Sequence, residues 1–325
     1  MRIYHHDRHH DAPAATLMLP TAAELDATAS RARAAVTAWH AGSPLACVAA
    51  AFADCDPDAT GQVADAAAAL LADASWIAAL LEPLIAALAA DPWFEPPLRV
   101  TRDRLRTTVQ LIDLPAGTLG ATIFDGAALA ASAPDATLVA SGRLMIARYH
   151  VAGGARLLRW EAGVAGDDFQ TATAPPLRAL PPVPLLDGDV VRIDGRTRAH
   201  LVEGSGADVV ALTFATRTAG LTREYDRATG RVLRAAINDE AMSRTRLLLA
   251  LLRIDGRRDA GACFAAATRA PAFHLRWAAM REWLALDASA ALLRLHELAA
   301  TDPHPELRAV AQATVPLVEA RLCRA

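Results

Sequence analysis

Two histidines and a group of arginines in the middle of the chain have the residue types that a binding or catalytic site needs. His150 and His200 each lie in a strand-like run, and an imidazole can bind a transition metal or transfer a proton near neutral pH. Guanidinium groups bind carboxylates and phosphates through two parallel hydrogen bonds. We therefore take His150 and His200 as candidate metal ligands. The candidate residues for an acidic ligand are Arg148, Arg192, Arg196 and Arg198.

Ordinary structural positions explain the same residues more simply. On the strand that contains His200, alternation places Val202 on the same face and Glu203 on the opposite face. Glu203 could therefore join a metal site only through a β-bulge. The histidines could both be hydrogen-bonded strand residues, and the arginines could lie on a solvated sheet face balanced by nearby aspartates. Both interpretations stay open on the sequence alone.

The composition excludes several classes of enzyme. All 33 basic residues are arginine, whereas pyridoxal-phosphate Schiff bases, Walker A phosphate loops and Ser-x-x-Lys acyl transfer all need lysine. The chain also lacks the Gly-x-Gly-x-x-Gly fingerprint of dinucleotide sites and the Gly-x-Ser-x-Gly sequence of hydrolases. We therefore expect no pyridoxal phosphate and no P-loop nucleotide. A net charge of −3 and dispersed arginines also argue against a nucleic-acid partner.

Cysteine spacing and hydropathy favour a cytoplasmic protein with no membrane partner. No stretch reaches about 18 apolar residues without a polar interruption, and the first eleven residues lack the apolar run of a signal peptide. The four cysteines are far apart, so we expect them to be reduced and buried as small apolar residues. They are Cys47, Cys55, Cys263 and Cys323.

The chain begins with a histidine-rich arm. Histidines at these spacings could bind a divalent metal ion, or the arm could be a terminus that docks nowhere. The sequence leaves its role open. Its histidines are His5, His6, His9 and His10.

Three stretches of different periodicity follow the arm. Apolar residues at helical spacing over residues 21–90 predict four helices, and alternation from residue 99 predicts about nine or ten short antiparallel strands. Residues 162–184 are rich in proline and glycine, which predicts a long loop. Helices return near residue 238. We expect an α+β protein with three domains, at residues 1–95, 96–236 and 237–325.

The run from Gly188 to Gly195, Gly-Asp-Val-Val-Arg-Ile-Asp-Gly, is followed by His200 and resembles the second conserved motif of the cupins. That resemblance implies a cupin-like β-sandwich or barrel over residues 96–236. It also implies a divalent metal, Fe, Mn, Ni or Zn, held by imidazoles and a carboxylate. The motif departs from the cupin pattern because Asp194 replaces the usual proline and His200 is one position late. No His-x-His-x(3–4)-Glu sequence of the first cupin motif is present.

The C-terminal stretch contains an internal repeat. A Pro, Leu, Arg and Ala pattern recurs 32 residues later, and each copy opens a helix after its proline. The second copy resembles the helix openings of HEAT repeats, which stack into solenoids. This resemblance implies a contact with a protein partner through HEAT-like C-terminal helices. The repeated residues are Pro271, Leu275, Arg276 and Ala279, then Pro303, Leu307, Arg308 and Ala311.

Two functions follow from these patterns. The first is a non-catalytic binding or regulatory protein whose cupin-like sandwich takes a small acidic ligand or a peptide, and whose helical repeats contact a protein partner. The alternative is a cupin-class mononuclear metalloenzyme, an oxygenase or isomerase, that uses His150 and His200. A pure scaffold would need only the helical repeats.

Overall fold

A computed structural model describes most of the chain beyond the histidine-rich arm. The described residues are 21–91, 93–133, 135–166, 169–204, 206–237 and 240–323, so the arm with its four histidines lies outside them. The chain divides into two compact units. The first comprises Met1–Cys47 and Ser75–Pro97, and the second comprises Val48–Ala74 and Leu98–Ala325.

Along the chain, helices precede and follow a strand-rich middle. The helices are α1 (Ala22–His40), α2 (Ser43–Ala51), α3 (Thr60–Ala72), α4 (Trp76–Ala90), α5 (Gly126–Ala131), α6 (Glu240–Ile254), α7 (Gly261–Ala267), α8 (Phe273–Leu286), α9 (Ala288–Thr301) and α10 (Pro305–Leu322). Helices α1 to α4 confirm the four that the apolar spacing predicts. None of these helices is by itself long and apolar enough to cross a membrane, although α3 and α4 together pass that test of length and composition.

The strands form three antiparallel sheets. They are β1 (Arg99–Arg102), β2 (Arg106–Leu114), β3 (Gly117–Phe124), β4 (Thr137–Ala140), β5 (Arg143–Val151), β6 (Arg156–Glu161), β7 (Arg178–Pro184), β8 (Val190–Asp194), β9 (Arg198–Glu203), β10 (Val209–Ala219), β11 (Leu221–Asp226) and β12 (Val232–Ile237). The large sheet has the order β1-β2-β3-β10-β5-β8, and the small ones β12-β11-β4 and β7-β6-β9. This arrangement confirms the predicted α+β class.

Strand β7 corrects the prediction of a loop over residues 162–184. It pairs with β6 and lies at the edge of its sheet. An edge strand tolerates proline because one side of its backbone has no partner strand. Pro181, Pro182 and Pro184 therefore fit in β7, although they make its sequence look like a loop.

In the first unit, α1 and α4 pack against each other through one buried tryptophan. Trp39 is 5% exposed, and its Nε1 donates to the carbonyl oxygen of Leu80 at 2.8 Å. Helix α1 begins with a capping box, in which Thr21 and Glu24 each accept a hydrogen bond from the other's backbone N–H. Arg31 and Asp91 form an ion pair at 2.9 Å.

Helix α3, which the sequence groups with residues 1–95, belongs to the second unit and covers one face of the large sheet. It packs on β5, β8 and β10. The ring of Phe52 stacks on Phe214 of β10, with 4.8 Å between centroids and 10° between planes. The three domain boundaries predicted from the sequence stay predictions. The helix buries one stripe, formed by Val63, Ala64, Ala67 and Leu71.

The end of α3 depends on Arg148 of β5. Its Nη1 donates to the carbonyl oxygens of Leu71 at 3.1 Å and Ala72 at 2.8 Å, which lack partners within the helix. Replacing Arg148 with methionine should lower the free energy of unfolding by about 1–2 kcal/mol, measured by urea denaturation. Arg192→Gln is the control, because its exposed ion pair with Asp65 contributes about 0–1 kcal/mol. A change from Arg148→Met no larger than the control's would contradict this role.

Helices α6 to α10 have a core of their own, centred on Leu249, Phe264, Met280, Trp283 and Leu295. Within this core the sequence repeat is also a repeat of contacts. Arg276 Nη1 donates to the carbonyl oxygen of Pro271 at 2.6 Å, and Arg308 Nη1 donates to that of Pro303 at 3.1 Å. The leucine and alanine of each copy are buried. Its assignment to HEAT repeats stays a prediction.

A buried ion pair links the two copies of the repeat. Arg276 binds Asp302 through Nε to Oδ2 and Nη2 to Oδ1, both at 2.7 Å. The two side chains are 8% and 1% exposed. The backbone N–H of His304 also donates to Asp302 Oδ1, at 2.8 Å. Although burial alone would raise the pKa of Asp302, the hydrogen bonds from Arg276 and His304 lower it.

The cysteines are free thiols, but the prediction that they are buried is wrong for three of the four. Cys47, Cys263 and Cys323 are exposed, and Cys55 is partly buried. In α7 the buried position is taken by the larger Phe264, next to Cys263, because it fills more of the core.

Candidate functional site

A cavity of about 440 Å³ lies between the large sheet and strand β9. Its floor is a row of residues in register across five strands. Thr101 pairs with Thr108, Thr108 with Thr122, Thr122 with Ala211, and Ala211 with Tyr149. Paired residues of neighbouring antiparallel strands point to the same side of the sheet. All five therefore line the cavity.

Strand β9 supplies the opposite wall through His200 and Val202. The chain reaches this wall by the tight turn between β8 and β9, where the N–H of Thr197 donates to the Asp194 carbonyl oxygen at 3.0 Å. On the other face of β9, Leu201 packs with residues of β4 and β11. The predicted alternation on this strand, with His200 and Val202 on one face, is confirmed.

The imidazole of His200 is neutral at neutral pH. Burial in the cavity, followed by the positive charge of Arg106, lowers the pKa of His200 from 6.5 to about 4. No hydrogen bond among the described residues involves its ring nitrogens. A neutral imidazole has one N–H donor and one acceptor nitrogen. His200 therefore has both available for a molecule in the cavity.

Hydroxyl groups supply the other polar atoms of the interior. Tyr149 is 2% exposed, and burial raises its pKa to about 12, so its hydroxyl remains protonated. The hydroxyls of Thr108 and Thr122 lie 3.1 Å apart and form a hydrogen bond. The Thr213 side chain also lines the cavity. The inside of the cavity is thus uncharged, with these polar groups set among apolar side chains.

The mouth of the cavity is positively charged. Thr101, Arg102 and Asp103 are exposed lining residues, so the cavity opens at this end. Asp103 accepts hydrogen bonds from the backbone N–H groups of Leu105 and Arg106 and from Arg106 Nε, at 2.8–3.1 Å. These bonds, led by that from Leu105, lower the pKa of Asp103. Arg102 makes no ion pair within the described part of the chain, so one positive charge is not neutralised.

The structure does not bring the two candidate metal ligands together. Tyr149 lines the cavity, and His150, the next residue on β5, lies on the other face of the sheet and is exposed. The carboxylate of Glu203 also lies away from the cavity, because it accepts a hydrogen bond from Arg156 Nε at 3.0 Å.

The cavity residues do not fit the metal centre that the cupin resemblance implies. Such a centre needs several imidazoles and a carboxylate. This cavity has one imidazole, His200, and one carboxylate, Asp103, whose oxygens already accept three hydrogen bonds. Across the described residues, no group of three or more His, Cys, Asp or Glu could hold a metal ion. Binding of a metal by His150 and His200 stays a prediction that this geometry does not support.

The four arginines predicted to bind an acidic ligand lie outside the cavity lining. Arg148 caps α3, and Arg192 pairs with Asp65 of the same helix. Arg196 binds Asp194 at 2.8 Å and the Thr60 hydroxyl at 3.4 Å. Arg198 is exposed on β9. Three of the four guanidinium groups therefore already have partners, and ligand binding by any of them stays a prediction.

Sequence reasoning missed Arg102 and Arg106, the arginines that line the cavity. The alternation of β2 places Arg106 and Thr108 on one face of the strand and the apolar Val109 and Leu111 on the other. From the sequence alone, the apolar face is the one expected to point into the protein. In the structure Leu111 is buried but does not line the cavity, whereas Arg106 and Thr108 of the polar face do. The sequence signal that could have identified the cavity-lining face is a threonine on each of β1, β2 and β3.

Fold and site together define an α+β protein in which antiparallel sheets enclose a cavity of ligand size. No family model matches this chain, and no curated protein matches it significantly.

Among solved structures, three similar ones show 11–13% identity. They are the capsular polysaccharide assembling protein CapF from Staphylococcus aureus (11% identity, 47% of this chain, 36% of that chain, TM-score 0.26), a cupin 2 conserved barrel domain protein from Rhodopseudomonas palustris (12%, 48%, 88%, 0.26), and a sugar phosphate isomerase from a cupin superfamily of Silicibacter pomeroyi (13%, 44%, 86%, 0.24). The match with CapF thus spans about a third of that protein's length. At these TM-scores the similarities carry no argument about the activity or the ligand of this chain.

Proposed function

We propose that this chain is a non-catalytic binding or regulatory protein that takes a small acidic ligand into a cupin-like sandwich. The supporting observation is the cavity of about 440 Å³, which has an uncharged polar interior and arginines at its mouth. Small-molecule sites have volumes of about 300–1,000 Å³ and a few converging polar groups. A compact ligand suits this volume better than a peptide of several residues.

The lining suggests how such a ligand lies. A carboxylate or similar anion would bind Arg102 and the terminal nitrogens of Arg106, whose Nε already pairs with Asp103, through charge-assisted hydrogen bonds at the mouth. The body of the ligand would contact the apolar side chains of the wall. A polar group at its inner end would meet Tyr149 and His200. The apolar wall residues include Phe124, Met145 and Val202.

A panel of four- to eight-carbon carboxylates, each paired with its uncharged primary amide, tests this proposal by thermal shift and isothermal titration calorimetry. We expect at least one carboxylate to bind and its amide to bind much more weakly. Replacing Arg102 or Arg106 with glutamine should weaken that carboxylate about tenfold to a hundredfold, because a hydrogen bond to a charged group contributes about 1.5–3 kcal/mol. Arg104→Gln is the matched control, since Arg104 is exposed and does not line the cavity.

Three results would contradict the proposal. One is that no carboxylate binds, and another is that amides bind as well as carboxylates. The third is near-stoichiometric Fe, Mn, Ni or Zn in protein that lacks residues 1–20, if that metal is lost in His200→Ala. The third result would favour the metalloenzyme instead. Removing the arm matters because its histidines could bind metal independently of the cavity.

A further inference from the structure

A second hollow, of about 320 Å³, lies between helices α6 and α8. Its α6 wall consists of residues three and four positions apart, which therefore share one face of the helix. Ala250 and Ala278 face it from the two helices, and their small side chains leave the groove open. The lining residues are Ser243, Arg246, Leu247, Leu249, Ala250, Ala278, Arg281 and Glu282.

Large apolar side chains of α6, beginning with Leu247 at the groove, are exposed to solvent. Leu247, Leu251 and Ile254 are 62%, 47% and 66% exposed. Their spacing of four and then three residues makes one continuous stripe along the helix. Leu248, next to the stripe, is 54% exposed. A contiguous apolar surface of this kind on a folded protein is typical of an interaction site.

The groove is also positively charged. Arg246 and Arg281 are exposed, and neither makes a hydrogen bond or ion pair with any other described residue. Glu282 is the one acidic residue of the lining, and Arg253 pairs with it. Two positive charges thus remain available beside the apolar stripe.

We propose that this groove is the docking site for an acidic, amphipathic helix of a partner protein. Apolar side chains of such a helix, spaced by three and four residues, would contact Leu247, Leu251 and Ile254. Its carboxylates would bind Arg246 and Arg281. A second copy of this chain fits less well, because a two-fold interface uses the same patch on both subunits. The only carboxylate among the described residues that line the groove, Glu282, already pairs with Arg253 and leaves none for Arg246 and Arg281.

Selection from a displayed library of helix-length peptides on the full-length protein tests the proposal. We expect the recovered peptides to carry acidic residues on one face and apolar residues on the other. Fluorescence anisotropy of the best peptide should show affinity weakened about tenfold or more by the double variant Arg246→Glu, Arg281→Glu. A version of that peptide with its acidic residues replaced by lysine should regain affinity for the double variant.

Arg321→Glu, an exposed substitution on α10, is the matched control and should change the affinity less than about twofold. The proposal is overturned if selection recovers no peptides, or only basic or purely apolar ones. The proposal is also overturned if the best peptide binds the double variant as tightly as it binds the original protein. Sedimentation that shows a dimer, lost in Leu247→Asp, would assign the groove to self-association and also overturn the proposal. The carboxylate experiments use other residues, so the two proposals can fail separately.

Discussion

Replacing Asp302 with asparagine should lower the free energy of unfolding by about 3–5 kcal/mol, the cost of removing one partner from a buried ion pair. Asparagine keeps the shape of the side chain but removes its charge. The guanidinium of Arg276 would then remain buried with only neutral acceptors, which are the amide oxygen of the asparagine and the carbonyl oxygens of Ala270 and Pro271. Those oxygens accept hydrogen bonds but do not neutralise the positive charge.

Urea denaturation followed by circular dichroism measures this loss. Asp259→Asn is the control, because Asp259 forms an exposed ion pair with Arg257 at 2.7 Å and should contribute at most about 1 kcal/mol. The double variant Arg276→Met, Asp302→Leu removes both buried charges and should recover much of the stability. A loss from Asp302→Asn no larger than the control's would show that the pair does not hold α8 to the turn between α9 and α10.

Acidification should destabilise the protein through His200. The pKa of His200 is about 4 in the folded protein and 6.5 at its ordinary value. Between these values the unfolded chain binds a proton that the folded chain does not, so stability falls as the pH falls through this window. Below about pH 4 both states are protonated and the loss is complete. It amounts to about 3 kcal/mol.

The measurement is denaturant unfolding at a series of pH values, comparing the protein with His200→Gln. The variant should lose about 2–3 kcal/mol less than the original protein between pH 7 and pH about 4. Carboxyl groups with lowered pKa, such as those of Asp103 and Asp194, titrate in both proteins and cancel in the difference. His150→Gln, on the exposed face of β5, should follow the original protein. Parallel pH profiles for all three would show that the folded-state pKa of His200 is not lowered.

The sequence predicts most of the elements, because the pattern of a helix or strand is encoded by neighbouring residues. Strand β7 is missed because its prolines resemble those of a loop. The apolar spacing that defines α1 to α4 and the alternation that defines β2 depend only on local geometry. Alternation does not show which face of a strand lines a cavity. Arg106 and Thr108 became lining residues only because the hairpin of β2 and β3 pairs with β10. That last pairing joins residues far apart in the chain, such as Thr122 and Ala211.

The same limit explains why the sequence did not show that most of the candidate arginines have partners within the protein. Arg148 and Arg192 have the charge that a carboxylate site needs, and nothing near them in sequence shows that α3 covers their face of the sheet. Their partners, the end of α3 and Asp65, lie more than 70 residues away. The C-terminal repeat was easier to recognise, since both copies are short and begin with proline. The ion pair between Arg276 and Asp302 could be identified only once the packing of the two copies against each other was known.

Strand β10 has a consequence for how the chain folds during synthesis. It pairs with both β3 and β5, although six strands, β4 to β9, lie between β3 and β10 in the sequence. It also contributes Ala211 to the cavity floor. Until residues 209–219 leave the ribosome, β3 and β5 each have an unpaired edge, and open edges are prone to pair with other chains. Late insertion of a central strand also makes folding slow, because distant segments must meet first. We therefore expect the nascent chain to depend on chaperones until β10 emerges.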